Sequence, residues 1–170
     1  MQRTKRRWIL TVVITLMLML FGVMGAIASP RLDGHPLLLS PDLARSTAFL
    51  HFIASQIETL ERSDAYLSEV IDEGESVENL LDQARRARVA TEDALGVAAA
   101  SEHEAAPPEL ESLSISLDAA AQAYVEAGRL TVLFVNTPTT ENLAASVAGL
   151  ESAQTLLMDV RDRWQRMTPR

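Results

Sequence analysis

The sequence contains no cysteine, and this absence excludes several classes of protein at once. Disulfide scaffolds, thiolate zinc sites, iron–sulfur clusters and covalently attached haem all require cysteine. A lipid-modified N-terminal cysteine is excluded for the same reason. A domain of this size does not need disulfides or metals for stability, so a core of packed side chains should suffice.

Lysine is nearly absent, and the basic residues are unevenly distributed. Lys5 is the only lysine, and it forms a basic N-terminal cluster with Arg3, Arg6 and Arg7. After this cluster, 11 arginines face 23 acidic residues. Because nucleic-acid binding requires basic side chains that neutralise phosphates, this acidic balance argues against a DNA or RNA partner.

Glycine is scarce as well, with 7 residues in 170. The sequence has no glycine-rich phosphate loop, no Gly-x-Ser-x-Gly elbow and no histidine in a catalytic-triad context. We therefore expect no catalytic residue and no cofactor. The protein is predicted not to be an enzyme, and an enzyme of unknown class ranks third among the functional hypotheses.

One apolar run dominates the N-terminus. Residues 8–28, from Trp8 to Ala28, contain no charged side chain. As a helix they would span about 31 Å, close to the thickness of a bilayer's hydrocarbon core. The run therefore predicts insertion into the lipid bilayer. The positive-inside rule keeps the basic cluster cytoplasmic, so the rest of the chain is expected on the extracytoplasmic side.

This apolar run has two interpretations. Ala26-Ile27-Ala28 has the small-x-small form of a signal-peptidase site. The run is nevertheless longer than the roughly 7 to 15 apolar residues of a signal peptide. A single-pass anchor with its N-terminus inside is therefore favoured, and a cleaved, secreted form is the alternative.

The rest of the chain has the pattern of helices. Pro30, Gly34 and Pro36 favour an extended tether, and Ser40 followed by Pro41 is typical of a helix N-terminus. Apolar residues then recur at steps of three and four. The predicted segments are an anchor or signal at 1–28, a tether at 29–40 and a domain at 41–170, with helices at about 41–72, 76–101, 108–135 and 138–167.

Four helices with short connections predict an all-α fold, namely an N-terminal transmembrane helix or signal segment followed by an up-down-up-down four-helix bundle. The second helix has a core side of small residues, which permits a close approach of its neighbour. Thr137 and Pro138 are expected to begin the last helix. The run Leu130 to Val135 has a β-rich composition, but it lies in phase with the helical stripe before it, so a helix is favoured over a strand.

This order of a membrane segment and a four-helix bundle resembles the exported bundle domains of bacterial membrane sensors. It is similar to many uncharacterised bacterial envelope proteins too. The resemblance rests on the pattern of segments, so it implies no functional residue. Sensors of this type return through the membrane to a cytoplasmic output domain. Because this sequence has no second span, we do not expect a complete receptor.

The histidines do not have the spacing of metal ligands. His35, His51 and His103 fall on the tether, the first helix and a loop, and no His-x-x-x-His or Glu-x-x-His pair occurs. We therefore expect no metal site.

Asp64 interrupts the apolar stripe of the first helix between Leu60 and Leu67. A carboxylate at such a position needs a hydrogen-bond partner, a cation or water. One interpretation makes Asp64 part of a ligand site with Tyr66 or Tyr124. The favoured interpretation is a drift in helical register that turns Asp64 toward solvent or an arginine.

The charge pattern indicates helix surfaces on which opposite charges pair with one another. Oppositely charged residues four apart include Asp82 and Arg86, Arg88 and Glu92, Asp159 and Arg163, and Asp162 and Arg166.

At the end of the domain far from the anchor, Val132, Phe134 and Val135 are predicted beside acidic residues. An apolar tip with an acidic rim is a candidate partner surface.

The leading functional hypothesis is a noncatalytic, membrane-anchored extracytoplasmic module that acts as an accessory or scaffold subunit. Its expected partners are the lipid bilayer, through residues 8–28, and a protein partner or a second copy of the chain. The alternative is a sensor-like helical bundle that binds a small ligand or a metal.

Overall fold

The computed structural model describes residues 14–25, 31–32, 35–36, 41–74 and 79–168, and its architecture is all-α, as predicted. The chain divides into two compact units, Met1–Thr47 and Ala48–Arg170. The helices are α1 at residues 14–25, α2 at Pro41–Glu73, α3 at Leu80–His103, α4 at Glu111–Asn136 and α5 at Thr140–Met167.

In the first unit, α1 lies within the predicted membrane segment. Residues 8–13 and 26–28 of that segment lie outside the described residues. None of the helices described is both long enough and apolar enough to cross a bilayer. Between α1 and α2, the strands β1 (Arg31–Leu32) and β2 (His35–Pro36) form a minimal antiparallel pair within the predicted tether.

The boundaries of α2 follow from its local sequence. The helix begins at Pro41, the residue expected at the first helical position. It is followed by Gly74 at φ +59°, where glycine adopts the left-handed conformation without a steric penalty. The Gly74 N–H donates to the Ile71 carbonyl at 3.2 Å. Residues 75–78, which include the predicted start of the second helix, lie outside the described residues.

The start of α5 differs from the prediction. The helix begins at Thr140, and Thr139 is its N-cap, accepting a hydrogen bond from Asn142 N at 3.1 Å. The predicted cap, Thr137, instead accepts a bond at its carbonyl from Asn142 Nδ2 at 2.7 Å. The backbone N–H of Asn142 thus bonds to Thr139, and its side-chain amide bonds to Thr137. Thr139 is the N-cap because its side chain can accept a hydrogen bond from the first turn of α5.

Helices α2 to α5 all contribute to one hydrophobic core in the second unit. Its fully buried large side chains include Ile53, Leu60 and Leu67 of α2 and Leu113 and Leu117 of α4. The β-rich run Leu130 to Val135 is helical and belongs to α4.

The buried face of α2 follows the predicted stripe at Leu60 and Leu67 but lies one residue earlier at Asp64 and Ile71. Ser63 and Val70 are fully buried, whereas Asp64 and Ile71 are only partly buried. Ser63 is accommodated because its hydroxyl donates to the Thr59 carbonyl of its own helix, at 3.2 Å. Asp64 therefore lies beside the core.

Small residues bring α3 and α4 close together. The core positions of α3 include Ala87, Ala90 and Ala94, all fully buried. Gly128 of α4 faces Thr91 of α3 so closely that an added Cβ would lie 2.1 Å from Thr91 Oγ1. The predicted close approach of the second helix to a neighbour therefore occurs between α3 and α4.

Ion pairs and hydrogen bonds also link the helices to one another. Arg62 of α2 lies 3.9 Å from Asp93 of α3, while Glu73, further along α2, pairs with Arg86, which comes earlier in α3. Between α2 and α5, Trp164 Nε1 donates to the Leu50 carbonyl at 3.0 Å. Ser101 of α3 donates to Asp118 of α4 at 3.3 Å.

Candidate functional site

A polar notch lies where α2, α4 and α5 meet. Its centre is the Asp64 carboxylate of α2, whose Oδ1 accepts two hydrogen bonds. Tyr124 Oη of α4 donates at 3.0 Å, and Gln154 Nε2 of α5 donates at 2.9 Å. Three helices therefore place one polar side chain each at the same point, although these residues are 60 and 90 positions from Asp64 in the chain.

The local sequence explains how α2 and α5 present these groups. In α2, the small, fully buried Ser63 precedes Asp64. In α5, the small, fully buried Ala153 precedes Gln154 in the same way. Because a small core side chain leaves space beside it, the next residue can point toward the edge of the core. Asp64 and Gln154 are accordingly both partly buried.

Tyr124 reaches the notch from inside the core. Its side chain is fully buried, and only its hydroxyl end meets the polar groups. Burial raises the pKa of Tyr124 far above its ordinary value, and the negative charge of Asp64 and the hydrogen bond to it raise the pKa further. The phenol is thus held neutral and donates a hydrogen bond to the carboxylate.

The rim of the notch is partly charged and partly apolar. Arg161 of α5 pairs with Glu61 of α2. Leu157 and Met158 of α5 provide an apolar wall, and Met158 is 58% exposed. These residues line a partly open space with a volume of about 330 Å³, at the lower end of small-molecule sites.

The structure brings together two of the three residues predicted for a ligand site. Asp64 and Tyr124 are hydrogen-bonded in the notch. Tyr66 is partly buried against the hydrophobic core and does not line the notch. The predicted drift in register occurs and leaves Asp64 partly exposed, but its hydrogen-bond partners are the neutral Tyr124 and Gln154 and not an arginine.

Sequence reasoning missed Gln154, Glu61 and Arg161. The spacing within α5 gives no signal for Gln154, because Ala153 continues the apolar stripe between Leu150 and Leu157. The spacing within each helix gives no signal for Glu61 or Arg161 either.

The predicted apolar tip is wrong as a free surface. Phe134 is 2% exposed and Val135 6% exposed, and both pack with Val70 of α2 in a second hydrophobic cluster. Val132 is partly buried against the main core. Within the run Leu130 to Val135, the exposed side chain is that of Leu133. The prediction failed because side chains of the neighbouring helices cover Phe134 and Val135, among them Val70 of α2 and Leu143 of α5.

The arginines form some of the predicted pairs and one cluster that was not predicted. Asp82 pairs with Arg86, and Asp159 pairs with Arg163, as expected for residues four apart. Arg86 also binds Glu69 and Glu73 of α2, each at 2.9 Å. It is therefore a link between two helices. Arg88–Glu92 and Asp162–Arg166 are not ion pairs within the described part of the chain.

The histidines that the structure describes are separate from the notch. His51 is exposed, and so is His103, whose Nδ1 lies 2.7 Å from the Ala99 carbonyl. The side chain of His35 is not described. Within the described segments, no three His, Asp or Glu side chains are grouped so as to hold a metal ion.

Comparisons with protein-family models, with curated proteins and with solved structures found no match for this chain. A functional assignment therefore depends on the chemistry of the described residues.

Proposed function

We propose that this protein is a noncatalytic helical module that is anchored in a membrane and displayed outside the cytoplasm, where it acts as an accessory or scaffold subunit. In this proposal residues 8–28 form a single-pass anchor, with the basic cluster of Arg3, Lys5, Arg6 and Arg7 on the cytoplasmic side. The partner is a protein or a second copy of the chain.

The observation that carries the proposal is the exposure of α1. From Ile14 to Met24, every large apolar side chain is between 50% and 69% exposed. These positions cover about three helical turns, so apolar groups point in all directions around the helix. A helix that is apolar all round is stable only when buried in protein or in lipid.

The interhelix contacts support an up-down-up-down four-helix bundle for α2 to α5. In each contact between α2 and α3, or between α2 and α5, later residues of one helix meet earlier residues of the other. Such an order is expected of antiparallel neighbours. A bundle of this kind offers long outer faces for a partner.

The anchor is tested by membrane fractionation of the full chain and two variants. Leu18→Arg places a charge at the centre of the apolar run, where it costs about 3 kcal/mol of insertion free energy. It should move much of the protein to the soluble fraction. Leu18→Ala is the matched control and should remain in membranes. Equal distribution of both variants would contradict the anchor.

Orientation and processing need separate measurements. A reporter enzyme that folds only outside the cytoplasm, fused after Arg170, should be active. The mass of the purified protein separates an intact anchor from a product that begins at Ser29. Native mass spectrometry of tag-free protein then tests the scaffold role, which predicts a retained protein partner or a second copy.

A second candidate function has one specific observation in its favour. The notch around Asp64, Tyr124 and Gln154 has the volume and the mixture of polar and apolar lining that small ligands require. We therefore propose ligand binding at this notch as the alternative function. A retained small mass in the native spectrum would support it.

A further inference from the structure

The charge of the notch is not balanced. Asp64 accepts hydrogen bonds from Tyr124 and Gln154, which are both neutral donors. Arg161 lines the notch, but it is paired with Glu61. Among the residues described, no arginine lies within ion-pair distance of Asp64. Two carboxylates therefore share the notch with one guanidinium, and a cation would complete it.

Around Asp64, the hydrogen-bonding capacity that remains is mostly that of acceptors. Tyr124 uses its single donor on Asp64, and its side chain is fully buried, so it offers a ligand no donor. Gln154 uses one amide N–H and retains its second N–H and its Oε1 acceptor. The second carboxylate oxygen of Asp64, Oδ2, is an acceptor as well. A ligand with several N–H donors and no acceptor fits this set, and an ammonium group has three donors.

The apolar wall limits the rest of the ligand. Leu157 and Met158 lie on one side, and methionine adapts its flexible side chain to varied apolar shapes. A volume of about 330 Å³ admits an ammonium head with a short alkyl chain.

We propose that the notch binds a small organic ammonium ion, with the charged head at Asp64 and Gln154 and the alkyl part against Leu157 and Met158. This inference rests on the alternative function, ligand binding at the notch. It names the class of ligand.

The test is a titration of the full chain in detergent micelles, with 13C-labelled methionine methyl groups. The probe is n-butylammonium chloride, and the comparison compounds are 1-butanol and sodium butyrate, which have the same chain without the positive charge. Of the 6 methionines, Met158 is assigned by its loss in Met158→Leu. Its methyl resonance should shift saturably with butylammonium.

Two variants separate the charge of Asp64 from the charge of the whole protein. Asp64→Asn keeps an oxygen that can accept from Tyr124 and Gln154 but removes the negative charge. It should weaken butylammonium binding at least about tenfold, the effect of one charge-assisted hydrogen bond. Asp118→Asn removes the same charge from α4 outside the notch and should leave the affinity unchanged. A melting curve of each variant verifies that it folds.

The outcomes distinguish this inference from the function on which it rests. Equal affinity of the wild type and Asp64→Asn for butylammonium would overturn the inference. If butanol or butyrate shifts Met158 saturably and butylammonium does not, the ligand class is wrong and ligand binding at the notch remains. If none of the three compounds shifts Met158, both proposals fail, while the membrane-anchored module is unaffected.

Discussion

The contact between α3 and α4 and the contacts made by α2 are built on different principles. Where α3 meets α4, alanines and Gly128 allow close approach, and shape decides the fit. Where α2 meets its neighbours, polar groups such as Asp64 and Glu73 form directional bonds across the helices. The first kind of contact tolerates no added volume. The second leaves room for a notch and is sensitive to charge and pH.

The largest effect should come from adding one methyl group to the close contact, in Gly128→Ala. The new Cβ would lie 2.1 Å from Thr91 Oγ1 and 3.3 Å from Thr91 Cα, so side chain and backbone must both shift. Overpacking outweighs the helix-forming gain of alanine, and we expect a net loss of about 2 kcal/mol in the free energy of unfolding. Denaturant unfolding measures it.

The control is Gly96→Ala in α3, where an added Cβ meets no atom within 4 Å. With no clash, alanine should stabilise the helix by about 0.5 to 1 kcal/mol. The double variant Gly128→Ala with Thr91→Ala should recover part of the loss, because it removes the hydroxyl in the way. If Gly128→Ala is as stable as Gly96→Ala, α3 and α4 do not approach as closely as described.

A smaller effect is expected from Tyr124→Phe, which removes one hydrogen bond of the notch and no packing. Asp64 keeps its bond from Gln154 and gains access to water, so the loss should be about 1 kcal/mol of unfolding free energy. Tyr66→Phe, a hydroxyl outside the notch, should change stability by less than about 0.5 kcal/mol. Equal effects of the two substitutions would mean that the bond to Asp64 adds nothing.

The sequence was sufficient for the fold class and not for the notch. Apolar spacing predicts that α2 to α5 are helices because the periodicity persists over many turns. It does not predict which of two adjacent positions faces inward. Ser63 can occupy the core position because its hydroxyl bonds to its own helix. Asp64 therefore lies at the edge of the core. Contacts such as Asp64 with Gln154 depend on how helices are rotated, which spacing within one helix does not determine.

The loss of unfolding free energy at alkaline pH should depend on Tyr124. Its pKa is raised in the folded protein above the ordinary value of 10.0, first by burial and then by Asp64. This contribution to stability is complete below pH 10.0 and is lost as the pH rises further, because the unfolded chain ionises first. Tyr124→Phe should lose less stability than the wild type between pH 9 and about 11.5 in urea unfolding. Parallel losses would mean that the phenol titrates normally.

The smallest effect concerns acid and the cluster around Arg86. Hydrogen bonds from Gln83 and then from Arg86 lower the pKa of Glu73 from its ordinary 4.5. A lowered pKa gives stability that is present above pH 4.5 and is lost as the pH falls through the folded value. Arg86→Met removes the second of these causes, so it should lose less stability than the wild type between pH 7 and about 3.

Arg129→Met is the matched comparison for this acid effect. Arg129 lowers the pKa of Glu126, but both residues lie three apart on α4, so their bond connects no two helices. Arg86 joins α3 to Glu69 and Glu73 of α2, and these pairs form only when the helices pack. A pair within one helix persists partly in the unfolded chain and couples weakly to folding. The acid loss should therefore change more in Arg86→Met than in Arg129→Met, and equal changes would show that the polar contacts of α2 are surface pairs without a role in joining the helices.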